Sequence, residues 1–167
     1  WHPKESNATV AKMLSTIVIS GVPQIGADII NISDDHRRLI KIWLGFYQEH
    51  KQDFRTGTMR PIQNDAQFST IVVECGTKSF ISYANYPALK VSLNHGIDDI
   101  YMFNCTNEDW IYSILRDIKG EFRCNVLDYD LSHLSTSILS TVQDNLLVDV
   151  SVPQGGCISL KRIQKPA

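Results

Sequence analysis

The sequence has no long apolar run, no basic tract and no cysteine pair with metal-site spacing. No apolar stretch approaches the roughly 20 residues that a helix needs to cross a bilayer. The 16 Lys and Arg residues are scattered, and against 18 Asp and Glu they leave a net charge of −2. This balance offers no basic field for a nucleic acid or an anionic membrane, so we expect neither as a partner.

The cysteines are few and far apart. None of the four (Cys75, Cys105, Cys124 and Cys157) forms a CxxC pair or a Cys/His pair with the spacing of a zinc site. Small buried thiols are therefore the simpler interpretation, and disulfide bonds would require an oxidising compartment. We predict no metal.

Signatures of a complete catalytic site are also missing. The histidines share no HExxH or triad-like pattern, no GxSxG elbow is present, and no glycine-rich loop precedes a helix. Paired acids occur at 34–35, 98–99 and 128–130, where each pair flanks a turn or caps an element, as Asp usually does. Asp128 and Asp130 could give oxygen ligands to a cation, but further oxygen donors are lacking nearby. We expect no cofactor.

The length of 167 residues allows one good-sized core, or a domain with an appendage. Because the chain begins at Trp1 rather than Met, we interpret it as a piece of a longer protein. The missing signal peptide then carries little meaning, and the sequence does not indicate a compartment.

A first helix is predicted close to the N-terminus. Ser6 or Asn7 can cap it, and apolar residues at three- and four-residue steps continue to about Ser20. Gly21 and Pro23 should end it. Its outer face carries few charges, so we expect much of its circumference to be covered.

A second, longer helix follows a short apolar run. Residues 24–32 (QIGADIINI) are apolar and β-branched, which predicts a buried strand or an extended crossing segment. Its one charge, Asp28, should accept backbone hydrogen bonds at the strand end. Ser33 then caps the second helix, which has two acids in its first turn, and Gly57 lies just past its end.

The remainder predicts eight or nine short antiparallel strands in a sandwich. Four turns, beginning with Gly76-Thr77 and ending with 153–156, should join consecutive strands in pairs. The segment 132–141 is rich in Ser and Thr and is assigned as strand. The strands predicted are 68–75, 78–84, 89–93, 99–103, 110–115, 121–127, 132–141, 146–152 and 157–163.

Six aromatic residues lie in or beside these strands: Tyr83, Tyr86, Tyr101, Trp110, Tyr112 and Tyr129. Sugar rings stack on exposed aromatic faces, so a row of them on a sheet would suit a glycan. Because side chains alternate along a strand, half of them must face the core, and core packing is the better expectation for any one. Their exposure therefore decides between binding and packing.

The segments WHPKES, GVPQIGADI and ISDDHRRLIKIWLGFYQEHKQDFRTG, in that order, resemble the end of the catalytic barrel in melibiase-type α-galactosidases and related retaining glycoside hydrolases. The later segments MRPIQ, FISYANYP and VPQGGCISLKRI are similar to the C-terminal β-domain of that family. The resemblance implies an α+β chain. Residues 1–59 would be the end of a (β/α) barrel with two helices and a short strand, and residues 60–167 an antiparallel β-sandwich.

The resemblance also implies a reaction. Family members use a nucleophile and an acid/base carboxylate, which retention of configuration places roughly 5 Å apart. A barrel takes about 200 residues, so the nucleophile would lie upstream of Trp1 and this piece alone should be inactive. The family's acid/base Asp stands in a Trp–x–Ser–Asp-like loop. The matching loop here has no Asp, and Glu5 or Lys4 takes its place.

Glu5 is therefore the candidate catalytic acid/base, and Trp1 and His2 are candidate substrate-binding residues. A solvated loop acid, or a charge at the helix N-terminus, is the alternative role for Glu5. The implied partners are a carbohydrate, bound through the parent barrel, and the remainder of the parent chain.

Two other functions stay open. The chain could be a non-catalytic carbohydrate-binding or interaction module, for which the aromatic residues would have to be exposed. It could also be a purely structural β-domain, whose uncovered helix surface should then self-associate.

Overall fold

The structure is a computed structural model that describes residues 4–24, 26, 30–62, 70–84 and 88–164. Within these residues the chain forms two helices followed by ten strands, an α+β and mostly β architecture. The helices are α1 (Asn7–Ser20) and α2 (Asp34–Thr56). The strands are β1 (Thr58–Ile62), β2 (Thr70–Cys75), β3 (Lys78–Tyr83), β4 (Ala88–Ser92), β5 (Asp99–Asn104), β6 (Trp110–Arg116), β7 (Glu121–Leu127), β8 (His133–Ser140), β9 (Asn145–Ser151) and β10 (Cys157–Arg162).

Both predicted helices are confirmed, together with their caps. The hydroxyl of Ser6 accepts a hydrogen bond from the Thr9 amide at 3.1 Å, and that of Ser33 accepts one from the His36 amide at 3.2 Å. These contacts satisfy amide groups that would otherwise lack a partner in the first turn. At the other end of α2, the amide of Gly57 donates to the carbonyl of residue 53 at 2.8 Å.

The strand predicted over residues 24–32 is wrong where the structure describes that segment. Gln24 and Gly26 are irregular, and residues 30–32 form a turn and bend before α2. Ile32 is buried whereas Ile30 is 80% exposed, so the apolar run does not act as one buried unit. A short apolar run cannot be assigned by periodicity alone. Asp28 lies outside the described residues.

The strands form two mixed sheets. One has seven strands in the order β1-β2-β3-β5-β10-β7-β8, and the other has three in the order β4-β6-β9. Most neighbours are antiparallel, but β3 with β5 and β4 with β6 are parallel. The prediction of a wholly antiparallel arrangement is therefore wrong at these two pairs.

Strand positions were easier to predict than strand partners. All nine predicted strands occur, including the Ser- and Thr-rich β8, and the hairpin of β2 with β3 around Gly76 is confirmed. The other three predicted pairs are wrong, because β4 and β5, β6 and β7, and β9 and β10 lie in different sheets. Each of these short connections crosses from one sheet to the other instead of reversing the chain within a sheet.

Strand β1 was not predicted, and the expected boundary between residues 59 and 60 lies inside it. It pairs with β2 at one edge of the seven-stranded sheet. Pro61 is compatible with this place because an edge strand has one side without ladder bonds, where a missing amide hydrogen costs nothing.

The seven-stranded sheet contributes to two apolar clusters, one on each face. Ile81 belongs to a cluster that includes Ile111 and Leu146 of the three-stranded sheet. Phe80, the residue before it, belongs to a second cluster with residues of α1 and α2, which we call the helix-side cluster. Since successive side chains of a strand point to opposite faces, the helices cover one face of this sheet and the three-stranded sheet covers the other. Neither helix combines the length and apolar character that crossing a bilayer requires.

Candidate functional site

The N-terminal candidates are only partly visible. Trp1 and His2 lie outside the described residues. Glu5 lies directly before the cap of α1, and its side chain is exposed. Its backbone carbonyl is 3.1 Å from Nε2 of the buried His36 on α2, so the backbone of this loop is fixed while the carboxylate faces solvent.

Asp128 and Asp130 serve a turn, as their positions predicted. Asp128 Oδ1 accepts a hydrogen bond from the next amide at 2.7 Å, and Asp130 Oδ1 accepts one from the Ser132 amide at 3.0 Å. Asp130 Oδ2 also binds Arg38 of α2 at 3.0 Å. The described part of the chain contains no group of three or more His, Cys, Asp or Glu residues arranged to hold a metal ion.

The four cysteines are free thiols, and only two of them are buried as predicted, Cys124 and Cys157. Burial raises the pKa of the Cys157 thiol far above its usual range, which makes this side chain a poor nucleophile. Cys105 is half-buried among hydroxyl groups, with Ser15 Oγ at 3.2 Å and Ser82 Oγ at 3.4 Å.

The burial of His50 and its polar contacts were not predicted from the sequence. His50 is 3% exposed, and its Nδ1 lies 3.1 Å from Asp53 Oδ2, which also binds Lys78 Nζ at 2.8 Å. The imidazole packs between aromatic rings, with centroids at 4.6 Å for Phe46 and 5.1 Å for Tyr101. The sequence did contain a signal for this burial, because residues 43, 46 and 50 lie on one face of the predicted helix. The enclosed imidazole of His50 stabilises the packing of α2 on the sheet and is not accessible to a substrate.

The aromatic strand residues divide sharply by exposure. Tyr83 is fully buried, Tyr101 and Tyr129 are half-buried and pack with the helix-side cluster, and Tyr86 lies outside the described residues. Trp110, in contrast, is 39% exposed. Its ring centroid lies 5.6 Å from that of the half-buried Tyr112, with 32° between the ring planes.

Trp110 and Tyr112 belong to the outward face of the three-stranded sheet, which we call the aromatic surface. Nε1 of Trp110 donates a hydrogen bond to Asp149 Oδ1 at 2.7 Å, which fixes the indole ring. Beside the two rings lies a groove of about 420 Å³. The aromatic surface comprises Trp110, Asp149 and the residues that line this groove: Lys90, Tyr112, Ile114, Arg116, Ser140, Val142, Asn145 and Leu147.

Among the clusters described, the aromatic surface is the one that joins accessibility with groups able to bind a ligand. It presents flat rings, an apolar floor, a carboxylate and two cations in one place. The chain matches no protein-family model, no curated protein and no solved structure. Its function is therefore argued from the resemblance of its segments and from the geometry of its side chains.

Proposed function

We propose that the chain is the C-terminal part of a retaining glycoside hydrolase of the melibiase type. In this proposal α1 and α2 come from the end of the catalytic barrel, and β1 to β10 form a β-sandwich domain that packs on the barrel and supports it. The parent enzyme would act on α-galactosides or similar glycosides.

The observation that carries the proposal is that three of the segments bearing the resemblance contribute to one apolar cluster. The FYQEH segment supplies Phe46 and His50, whose rings contact those of two sheet residues, Phe80 and Tyr101. It also supplies Tyr47, which is buried in the same cluster as Phe46. The closing GGC segment supplies Cys157 to the same cluster. Gly155, in the turn before it, lies so close to α1 that an added Cβ would be 2.7 Å from the carbonyl oxygen of Ala8. Such mutual contact supports a common origin for the helices and the β-domain.

The outer surface of α1 supports the proposal further. Met13 and Ile17, one turn apart, are 38% and 37% exposed, and Val22 beyond the helix is 71% exposed. Exposed apolar surface of this kind suits contact with another layer of protein, here the preceding part of the barrel. Sedimentation of the 167-residue chain should show self-association that increases with concentration. A strictly monomeric chain at high concentration would count against an uncovered barrel interface.

The catalytic part of the proposal gives Glu5 one role only. As a general acid at the start of α1, Glu5 would protonate a leaving oxygen once the substrate and the rest of the barrel enclose its exposed side chain. Since the nucleophile would come from another barrel strand, the chain alone should not turn over substrate. Hydrolysis of nitrophenyl glycosides by this chain and by a longer chain that contains it tests the proposal.

A second candidate function is carbohydrate binding without catalysis. It is favoured by the outward position of Trp110 and Tyr112, because core packing does not account for an indole ring that is 39% exposed. Titration of the chain with galacto-oligosaccharides, followed through Trp110 fluorescence, tests it. A change that saturates and is lost in Trp110→Ala is expected; an unchanged spectrum would contradict this function.

A further inference from the structure

We propose that the aromatic surface is a binding site for carboxylated oligosaccharides. Sugar rings would lie over Trp110 and Tyr112, and a carboxylate would bind Lys90 and Arg116. The inference rests on the carbohydrate-binding function proposed above, and it does not depend on the catalytic barrel.

The strand register arranges the side chains of this surface in rows. β6 is the central strand, and its outward residues are Trp110, Tyr112, Ile114 and Arg116, whereas Ile111 and its alternate neighbours are buried. At about 3.3 Å per residue, the row from Trp110 to Arg116 is about 20 Å long. This length suits a short oligosaccharide better than a single sugar.

The two ends of the row differ in chemistry. Tyr112 lies opposite Asp149 on β9, and Trp110 is hydrogen-bonded to that same carboxylate. The rings provide apolar faces for the C–H groups of a sugar, and a neighbouring carboxylate accepts hydrogen bonds from hydroxyl groups. This end therefore suits a neutral ring.

The other end carries two cations. Ile114 lies opposite Lys90 on β4, and Arg116 lies two residues further along the same face. Both side chains are exposed, and neither belongs to any ion pair within the described residues. An Arg guanidinium binds a carboxylate through two parallel hydrogen bonds, and a nearby ammonium adds charge.

The separation of charge sets the orientation of the ligand. A carboxylate on the ligand is repelled by Asp149 at the aromatic end and attracted by Lys90 and Arg116 at the other. Ile114 and Leu147 lie opposite each other between Tyr112 and Arg116, level with Lys90, and provide an apolar floor. An acidic sugar should thus bind in one direction, with its carboxylate toward Arg116.

The test compares two probes of equal length by calorimetric titration of the 167-residue chain. One is galactotriose with a single terminal sugar oxidised to galacturonate, and the other is neutral galactotriose. We expect the acidic probe to bind about tenfold more tightly at low ionic strength, and to lose most of this advantage in 0.5 M salt because exposed charges are then screened. The double variant Lys90→Gln/Arg116→Gln should bind both probes equally. Lys41→Gln, which removes an exposed cation from α2, is the control and should change nothing.

Variants of the aromatic end complete the test. Trp110→Ala should abolish binding of both probes, and Trp110→Phe, which keeps a ring but loses the bond to Asp149, should bind with intermediate affinity. Circular dichroism of each variant verifies that β6 remains folded.

Each negative result would exclude a different part of the proposal. Equal affinity for both probes, unchanged in the double cation variant, would overturn the acidic specificity and leave carbohydrate binding in place. Acetate binding as tightly as the acidic probe would reduce the site to a nonspecific anion site and overturn the inference. Absence of binding to either probe would overturn both the inference and the carbohydrate-binding function.

Discussion

His50 and Asp53 face each other along α2, with Nδ1 of His50 3.1 Å from Oδ2 of Asp53. The same oxygen lies 2.8 Å from Nζ of Lys78 on β3. One carboxylate therefore joins a buried imidazole of the helix to a cation of the sheet. Aromatic rings pack around the imidazole of His50, whereas Asp53 and Lys78 remain partly exposed.

Acidification should weaken this junction. Burial of the Asp53 carboxyl raises its pKa, but hydrogen bonds from Lys78 and His50 outweigh burial, and its pKa lies below the ordinary value of 3.8. A lowered pKa in the folded state means that the stabilisation is complete above the unfolded-state pKa and is lost as the pH falls through the folded-state pKa. We expect the free energy of unfolding, measured with urea, to fall below about pH 4.

The contribution of Asp53 is isolated by a pair of variants. Asp53→Asn should be less stable than the parent at pH 7 and should show a smaller decrease on acidification. Glu121→Gln removes an exposed carboxyl at the start of β7 that belongs to no ion pair within the described residues, and it should keep the pH dependence of the parent. An identical acid slope in Asp53→Asn and the parent would contradict the role of this carboxylate.

Two tryptophans should differ in what they contribute to stability. Trp43 is fully buried and donates a hydrogen bond from Nε1 to the carbonyl of Tyr129 at 3.2 Å. Trp43→Phe leaves that carbonyl without its partner and opens space in the helix-side cluster, and should cost about 2 kcal/mol. Trp110→Phe, on the aromatic surface, should stay within about 0.5 kcal/mol of the parent. Similar losses of unfolding free energy in the two variants would contradict the assigned exposure.

Substitutions at two glycines allow the cost of backbone strain to be measured separately from the cost of a steric clash. Gly76 and Gly155 both have positive φ, 56° and 76°, but an added Cβ meets nothing within 4 Å at Gly76. At Gly155 it meets the carbonyl oxygen of Ala8 at 2.7 Å. Gly76→Ala should therefore cost about 1 kcal/mol from backbone conformation alone, and Gly155→Ala about 3 kcal/mol because the last loop is also pushed away from α1. Thermal unfolding measures both, and equal costs would mean that the loop does not press on the helix.

The sequence predicted local structure well and long-range pairing poorly. Caps such as Ser6 and Ser33 act on amides within three residues, so the helix ends follow from nearby side chains. Turn residues indicate where the chain bends, but they do not determine whether the next strand returns to the same sheet. The antiparallel partner of β6 is β9, about thirty residues later, because Ile111 and Val148 complete a core to which both sheets contribute. Alternation alone does not specify this choice.

The aromatic surface shows the same limit. The sequence placed Trp110 and Tyr112 on a strand, two residues apart and hence on one face. Whether that face was inward or outward depended on which sheet β6 joined. Nothing in the sequence indicated that Lys90 and Arg116 would lie close together, because β4 and β6 become neighbours only after folding.

The proposed role of Glu5 makes a prediction for the longer enzyme that the proposal requires. In a chain that includes the upstream barrel, Glu5→Gln should lower kcat by about 10²- to 10⁴-fold for glycosides with poor leaving groups. The loss should be smaller for nitrophenyl glycosides, whose leaving group needs little protonation. An equal loss for both substrates, or none, would mean that Glu5 is not the general acid.

The central claim is tested most directly by one comparison of hydrolysis. The 167-residue chain and the longer chain that the proposal requires are each given nitrophenyl α-galactoside and a panel of related nitrophenyl glycosides. The account predicts that the longer chain releases nitrophenol and that the 167-residue chain does not exceed background. Sustained turnover by the 167-residue chain, or no turnover of any glycoside by the longer one, would contradict it.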